Sequence, residues 1–272
     1  MKTITLAFTG ASGLPYGMRL LECLLQSGSR VHLIYSQAAQ IVAKQELDFT
    51  LPNRPHDAEQ SFAERFGKFS GELKVFGIHD WYAPMASGSN PGDAMVVCPC
   101  TMGTLGKIAS GISDDLIARA ADVMLKEKRA LILAPREMPF SAIHLENMLK
   151  LSHAGAVIMP PNPGFYHHPQ NVQDIVDFVV ARILDHLGIE QRLMKKWGEL
   201  GCRWQTDRKT NFASQPPAKL PMPFMLRHAQ HERHNSFSNN VRTGVGIADF
   251  NASSTPCHTL PGCAACKGLR KS

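Results

Sequence analysis

The sequence predicts a three-layer, doubly wound α/β domain with a mostly parallel sheet, followed by a tail of another kind. Three observations carry this. Short apolar runs of strand length alternate with helical periods over residues 1–187, the pattern of strands covered by helices on both faces. The first strand breaks at TGASGLPYG (Thr9 to Gly17) and re-enters as a helix. Beyond Trp197 the apolar period stops.

Taken in order, Met1 to Phe8 is a short buried run holding a strand over Thr3–Phe8. A helix over Gly17–Ser27 follows, with Leu20, Leu21, Leu24 and Leu25 facing inward. Strand Arg30–Tyr35 leads to helices Gln37–Glu46 and Ala58–Phe66. Strand Ala94–Cys98 precedes helices Thr104–Ser110 and Leu116–Lys126, and strand Ala130–Ala134 precedes helix Ser141–Ser152. Strand Ala156–Met159 and helix Val172–Leu187 complete the domain, with Ile175, Val176, Val179, Val180, Ile183, Leu184 and Leu187 as the buried stripe and Arg182 at its border.

Composition narrows the class. The 272 residues are 44% apolar, ample for a core. No apolar run reaches the roughly 18 residues of a membrane span, and the N-terminus lacks a secretory cleavage pattern, so a cytoplasmic protein without membrane association is expected. Residues 202–272 carry 10 Lys and Arg against 3 Asp and Glu, which leaves 19 against 20 in residues 1–201. The net charge of +6 therefore belongs to the tail. That tail, taken from residue 201 to 272, is rich in Pro, Ser, Asn and His. Its composition predicts disorder, or else a read-through or frame artefact appended to a complete domain of residues 1–200. It has no module or aromatic interleaving that points to nucleic acid. Cys98 and Cys100 read as strand-end packing, and Cys257, His258, Cys263 and Cys266 lack the second half of a zinc ribbon. No metal site is expected.

In a doubly wound sheet the loops beyond the carboxyl ends of the strands carry the chemistry. Gly10-Ala11-Ser12-Gly13 is not the dinucleotide fingerprint, and the second strand ends at Ser36 where a dinucleotide site would place an acidic residue. The loop suits either a phosphate at a helix start or a close-packed turn with no ligand. The third strand runs into CPCTMGT, where Thr101, Met102, Gly103 and Thr104 open a helix as a second jaw or as an ordinary N-cap. Arg136 and Glu137 stand between two prolines at the end of the fourth strand, facing a ligand or each other. Lys126 closes the preceding helix. Tyr166, in the proline-rich loop MPPNPGFYHHP, can offer a hydroxyl to the same anion as Arg182, and His167 and His168 have no third metal ligand nearby.

Together TGASGLPYG, the Ser36 strand end, SGS at 87–89, CPCTMGT, RAADVMLKE, PREMPFSAIHLENM and PGFYHHPQ resemble the UbiX-type flavin prenyltransferases, in order and at natural spacing over residues 1 to about 200. The resemblance implies a Rossmann-like flavoprotein fold and a homo-oligomer, often a dodecamer. It implies transfer of a dimethylallyl group from dimethylallyl monophosphate to N5 and C6 of reduced FMN, without a metal. The product, prenylated FMN, would serve a UbiD-type decarboxylase in ubiquinone biosynthesis or aromatic acid decarboxylation. Carried over by motif, Gly10, Ala11, Ser12, Ser36, Thr101, Met102, Gly103, Thr104 and Arg136 would hold the flavin, with Ser12 close to the reacting ring. Lys126, Arg136, Glu137, Tyr166 and Arg182 would surround the prenyl phosphate, some across a subunit interface. Trp81 and Trp197 would supply aromatic walls with Glu46 nearby, and Glu137 would move a proton. The family commonly has Ser where Thr101 stands. Two other readings share the fold: a flavin-dependent decarboxylase of the phosphopantothenoylcysteine type, and a flavodoxin-like electron carrier.

Overall fold

A computed structural model describes residues 1–195. Trp197 and the 201–272 segment lie outside the described residues. The strands are β1 (Thr3–Phe8), β2 (Arg30–Tyr35), β3 (Glu72–Phe76), β4 (Ala94–Cys100), β5 (Ala130–Pro135) and β6 (Val157–Ile158). The helices are α1 (Leu14–Gln26), α2 (Gln37–Glu46), α3 (Pro55–Phe66), α4 (Met102–Ala109), α5 (Leu116–Lys126), α6 (Ala142–His153) and α7 (Val172–Leu187). The sheet order is β3-β2-β1-β4-β5-β6, and the paired strands are parallel. β1 lies between β2 and β4, so the winding reverses beside it and a crevice opens beyond its carboxyl end.

Alternation along β1 sends Ile4, Leu6 and Phe8 into a core shared with α1, α3 and α7, while Ala7 joins the core beneath α4 and α5. All four are fully buried. Truncating Phe8 to alanine would cost about 3–5 kcal/mol through lost burial and the cavity left behind. Cys98 and Cys100 are buried in β4, and burial pushes the Cys98 thiol up to about 12. A thiol held that high is unreactive packing, as the sequence suggested.

One strand escapes the sequence reading. β3 (ELKVF) buries only Val75, because it is an edge strand with few apolar contacts to pattern it. Its exposed edge is blunted by α3: Glu59 Oε1 accepts from the Val75 amide at 2.9 Å and pairs with Lys74 at 3.2 Å. Helix α1 starts at Leu14, three residues before the expected Gly17, because Gly13 takes a left-handed φ of 107° and Pro15 fits the first turn. β6 shrinks to two residues, and β4 runs on to Cys100.

Candidate functional site

Three helix starts converge at the carboxyl edge, following β1, β2 and β4. Thr9 joins the first and third of these loops. Its buried hydroxyl donates to the Pro99 carbonyl at 2.8 Å and accepts from the Thr101 amide at 2.8 Å. Sequence reasoning passed over this bolt, although a threonine directly after the buried end of β1 was its visible signal. Ser36 caps α2 by accepting from the Ala39 amide, and Thr101 caps α4 by accepting from Thr104 and donating to the Thr104 hydroxyl at 2.9 Å. Capping thus accounts for both hydroxyls before any ligand is invoked.

The glycines divide by what surrounds them. A Cβ on Gly10 would fall 2.4 Å from Ala38 Cβ, so Gly10 serves helix packing. A Cβ on Gly103 would meet nothing closer than 4.0 Å. No internal contact requires glycine at Gly103, and the start of α4 is left bare toward the crevice. Ala11 is buried, while Ser12 is exposed and its hydroxyl has no hydrogen-bond partner among the described residues. Met102 and Thr104 are half-buried on the first turn of α4.

The start of α1 already holds an anion. The Glu46 carboxylate, reaching over from the end of α2, accepts from the Gly13 and Leu14 amides, each at 2.9 Å. Those two N–H groups are therefore not open to a phosphate, which leaves Gly10 to Ser12 and the α4 start as the receptive part of the crevice. Glu46 also ties α2 to the loop that carries Ser12.

Arg136 and Glu137 follow β5, both exposed. The Arg136 amide donates to the Cys100 carbonyl at 3.1 Å and so sets this loop beside CPCTMGT. Glu137 does not pair with Arg136. It accepts instead from the Met138 amide at 3.2 Å, and the Arg136 guanidinium has no carboxylate partner among the described residues. Tyr166 sits on the loop after β6 with its ring 5.7 Å from Phe178 of α7. Arg182 lies one turn beyond Phe178, paired with Asp185 at 3.1 Å.

Lys126 stands elsewhere. α5 begins at the carboxyl edge, where the Leu116 amide bonds the Ile78 carbonyl. It descends about 16 Å at 1.5 Å per residue to the edge where β5 starts. There Lys126 pairs with Glu127 and lies against Gly88, whose added Cβ would fall 2.6 Å from Lys126 Nζ. Ser87 and Ser89 share a 3.0 Å hydrogen bond in the same place. The chain thus gathers Ser12, Thr101, Arg136, Glu137 and Tyr166 at its carboxyl edge and holds Lys126 and the SGS turn at the other. Trp81 is half-exposed on the loop leaving β3, on the carboxyl side. Among the described residues no three metal-ligating side chains cluster.

A flavoprotein family model matches residues 1–184. The flavin prenyltransferase UbiX of Pseudomonas aeruginosa is 58% identical over 196 residues, covering 72% of this chain and 94% of that one. The flavin prenyltransferase UbiX of Methanocaldococcus jannaschii is 48% identical over 72% and 98%. Among solved structures, AnUbiX (PadA1) in complex with FMN and dimethylallyl pyrophosphate superposes with a TM-score of 0.65 at 39% identity, covering 72% of this chain and 97% of that one. A dodecameric FMN-dependent UbiX-like decarboxylase from Escherichia coli O157:H7 superposes at 0.63 with 41% identity over 72% and 98%. With these relatives and a crevice built from the same motifs, the chain belongs to the UbiX family of flavin prenyltransferases.

Proposed function

We propose that this protein joins the dimethylallyl group of dimethylallyl monophosphate to reduced FMN, and that residues 1–200 form the catalytic unit. The observation that carries the proposal is the bolted crevice between β1 and β4, with a bare helix start at Gly103 and an unpaired guanidinium at Arg136 on its rim. The residues fit the flavin. Gly10, Ala11, Ser12, Ser36, Thr101, Met102, Gly103, Thr104 and Arg136 would hold it, with the α4 start facing its anionic end. Bound there, reduced FMN supplies the electron-rich N5 and C6 positions to which the prenyl carbons attach.

Everything else falls to the chain. Breaking an allylic C–O bond leaves positive charge on carbon and a phosphate dianion. Arg136, Arg182 and Lys126 offset the dianion, the role magnesium fills where diphosphate leaves. Tyr166 donates its hydroxyl to the same phosphate, Trp81 flanks the cationic carbon, and Glu137 passes a proton between phosphate and flavin. Because Lys126 lies at the far edge of its own protomer, it acts from a neighbouring copy. A homo-oligomer such as a dodecamer supplies that copy, and prenylated FMN passes to a UbiD-type decarboxylase for ubiquinone biosynthesis or aromatic acid decarboxylation. The need for reduced flavin suits the reducing cytoplasm expected from the cysteine usage.

The test is direct. Purified protein incubated anaerobically with reduced FMN and dimethylallyl monophosphate should yield a flavin heavier by one five-carbon unit. The proposal fails if no such adduct forms. A flavodoxin-like carrier would have no use for the cationic rim, and it would bind flavin without altering its mass.

A further inference from the structure

The loop before α7 packs three rings together in a way that core packing alone does not require. Tyr166, His167 and Phe178 form a three-ring cluster. His167 stacks on Phe178 at 5.1 Å with an interplanar angle of 21°. Tyr166 stands edge-on to both, at 80° to His167 and 75° to Phe178. Gly164 closes the cluster: a Cβ there would fall 2.8 Å from Tyr166 Cε1 and 2.9 Å from Phe178 Cζ. Both are ring atoms, so a side chain at 164 would displace Tyr166 or Phe178 from this arrangement. Both His167 nitrogens are shut off from solvent and lack a hydrogen-bond partner among the described residues, which leaves the ring its faces and edges to act with.

A packing plug would bury its largest member. Tyr166 remains 42% exposed while His167 and Phe178 behind it are half-buried, and the neighbouring Phe165 is 66% exposed. The cluster therefore fixes one aromatic and leaves its neighbour loose. Phe178 also anchors the arrangement in the core, and Arg182 lies four residues further along the same helical face. We infer that Gly164, His167 and Phe178 are a seat that registers the Tyr166 phenol against Arg182, with His167 acting through its flat ring and not as acid, base or ligand. These are positioning residues for the phosphate end of the substrate, and the inference rests on the activity proposed above.

The experiment uses the full chain loaded with FMN. Binding of dimethylallyl monophosphate is followed by calorimetry, and adduct formation by mass at varied dimethylallyl monophosphate. His167→Ala and Gly164→Ala should each weaken binding and raise KM about tenfold while kcat stays within about threefold. His167→Phe, which keeps a flat ring and removes the nitrogens, should stay within about threefold of wild type on both counts. In a Tyr166→Phe background, His167→Ala should add less than about twofold, because a seat without its hydroxyl has nothing left to place. If His167→Ala alters neither binding nor KM, if His167→Phe is as impaired as His167→Ala, or if the His167 and Tyr166 effects multiply, the seat is overturned. Gly164→Ala keeps all three rings and carries the test should His167→Ala fail to fold. If wild type binds the ligand and the variants follow this pattern in binding, but no adduct forms, the activity is sunk and the seat is left standing. A wild-type protein showing neither binding nor adduct would sink both.

Discussion

The two edges of the sheet spend their polar groups differently. At the amino edge they are consumed by the chain itself. Lys2 Nζ donates to the last carbonyls of α7 at Leu187 and Gly188, Asp93 accepts from the Thr3 amide, and Arg30 pairs with Glu72 at 2.6 Å. At the carboxyl edge Ser12 and Arg136 carry no internal partner among the described residues. A cavity of about 570 Å³ beside Lys2, Gln26 and Arg192 lies at the amino edge. What marks the carboxyl edge is its unspent chemistry. The Ser12 and Arg136 side chains are both exposed, so water serves them in the free protein, and an edge that keeps them uncommitted has them ready for a ligand.

The sharpest way to break this contrast is to remove the unspent charge. Arg136→Ala should lower kcat/KM for adduct formation about 10²- to 10³-fold, the usual cost of losing one preorganised charge at a reacting centre. Its thermal midpoint should stay within a degree or two of wild type, since the guanidinium supports nothing internal. A large loss of stability would show that Arg136 belongs with the structural edge after all.

Lys126 is the exception, an amino-edge residue assigned to the chemistry. If a neighbouring copy delivers it, Lys126→Ala and Arg136→Ala proteins should each be nearly inactive alone and partly active when co-assembled. Random mixing of equal amounts restores both residues at about a quarter of the sites. Co-assembled protein as inactive as either parent would place both residues in the same protomer's site.

The bolt between the loops comes next. Thr9→Val keeps the shape and deletes the hydroxyl that serves Pro99 and Thr101. Leaving both groups buried and unpaired should cost about 1–3 kcal/mol, lower the thermal midpoint and weaken FMN binding together. If only the midpoint moves, the bolt holds the sheet and not the crevice.

How much of this was legible in the sequence follows from burial. β1, β2 and α7 declared themselves because short apolar runs and a continuous apolar stripe leave little choice. β3 did not, because an edge strand with Val75 alone inside has no pattern to show. Residue types at the site were legible, but their duties were not. Gly10 and Gly103 look alike in the chain, yet one touches Ala38 and the other open space. Ser36 and Thr101 fit a cap or a ligand equally well until the neighbouring amides are placed. Lys126 follows the flavin loops in sequence and ends a helix length away from them, because each helix of a parallel sheet carries the chain back to the other edge.

The smallest expected effect tests the amino edge on its own terms. The Arg30 guanidinium, hydrogen-bonded to Glu72, holds that carboxyl below its ordinary 4.5. A carboxyl lowered on folding contributes stability above the unfolded value and loses it as pH falls through the folded one. Both side chains are about half exposed, so solvent and salt screen the pair. Arg30→Ala should therefore leave kcat/KM unchanged. Its thermal midpoint should trail wild type slightly at pH 6–7, with the gap closing below pH 4.5 and in high salt. A gap that widens toward acid would mean that Arg30 acts through some group other than Glu72. A fall in kcat/KM would mean that the amino edge is not reserved for structure.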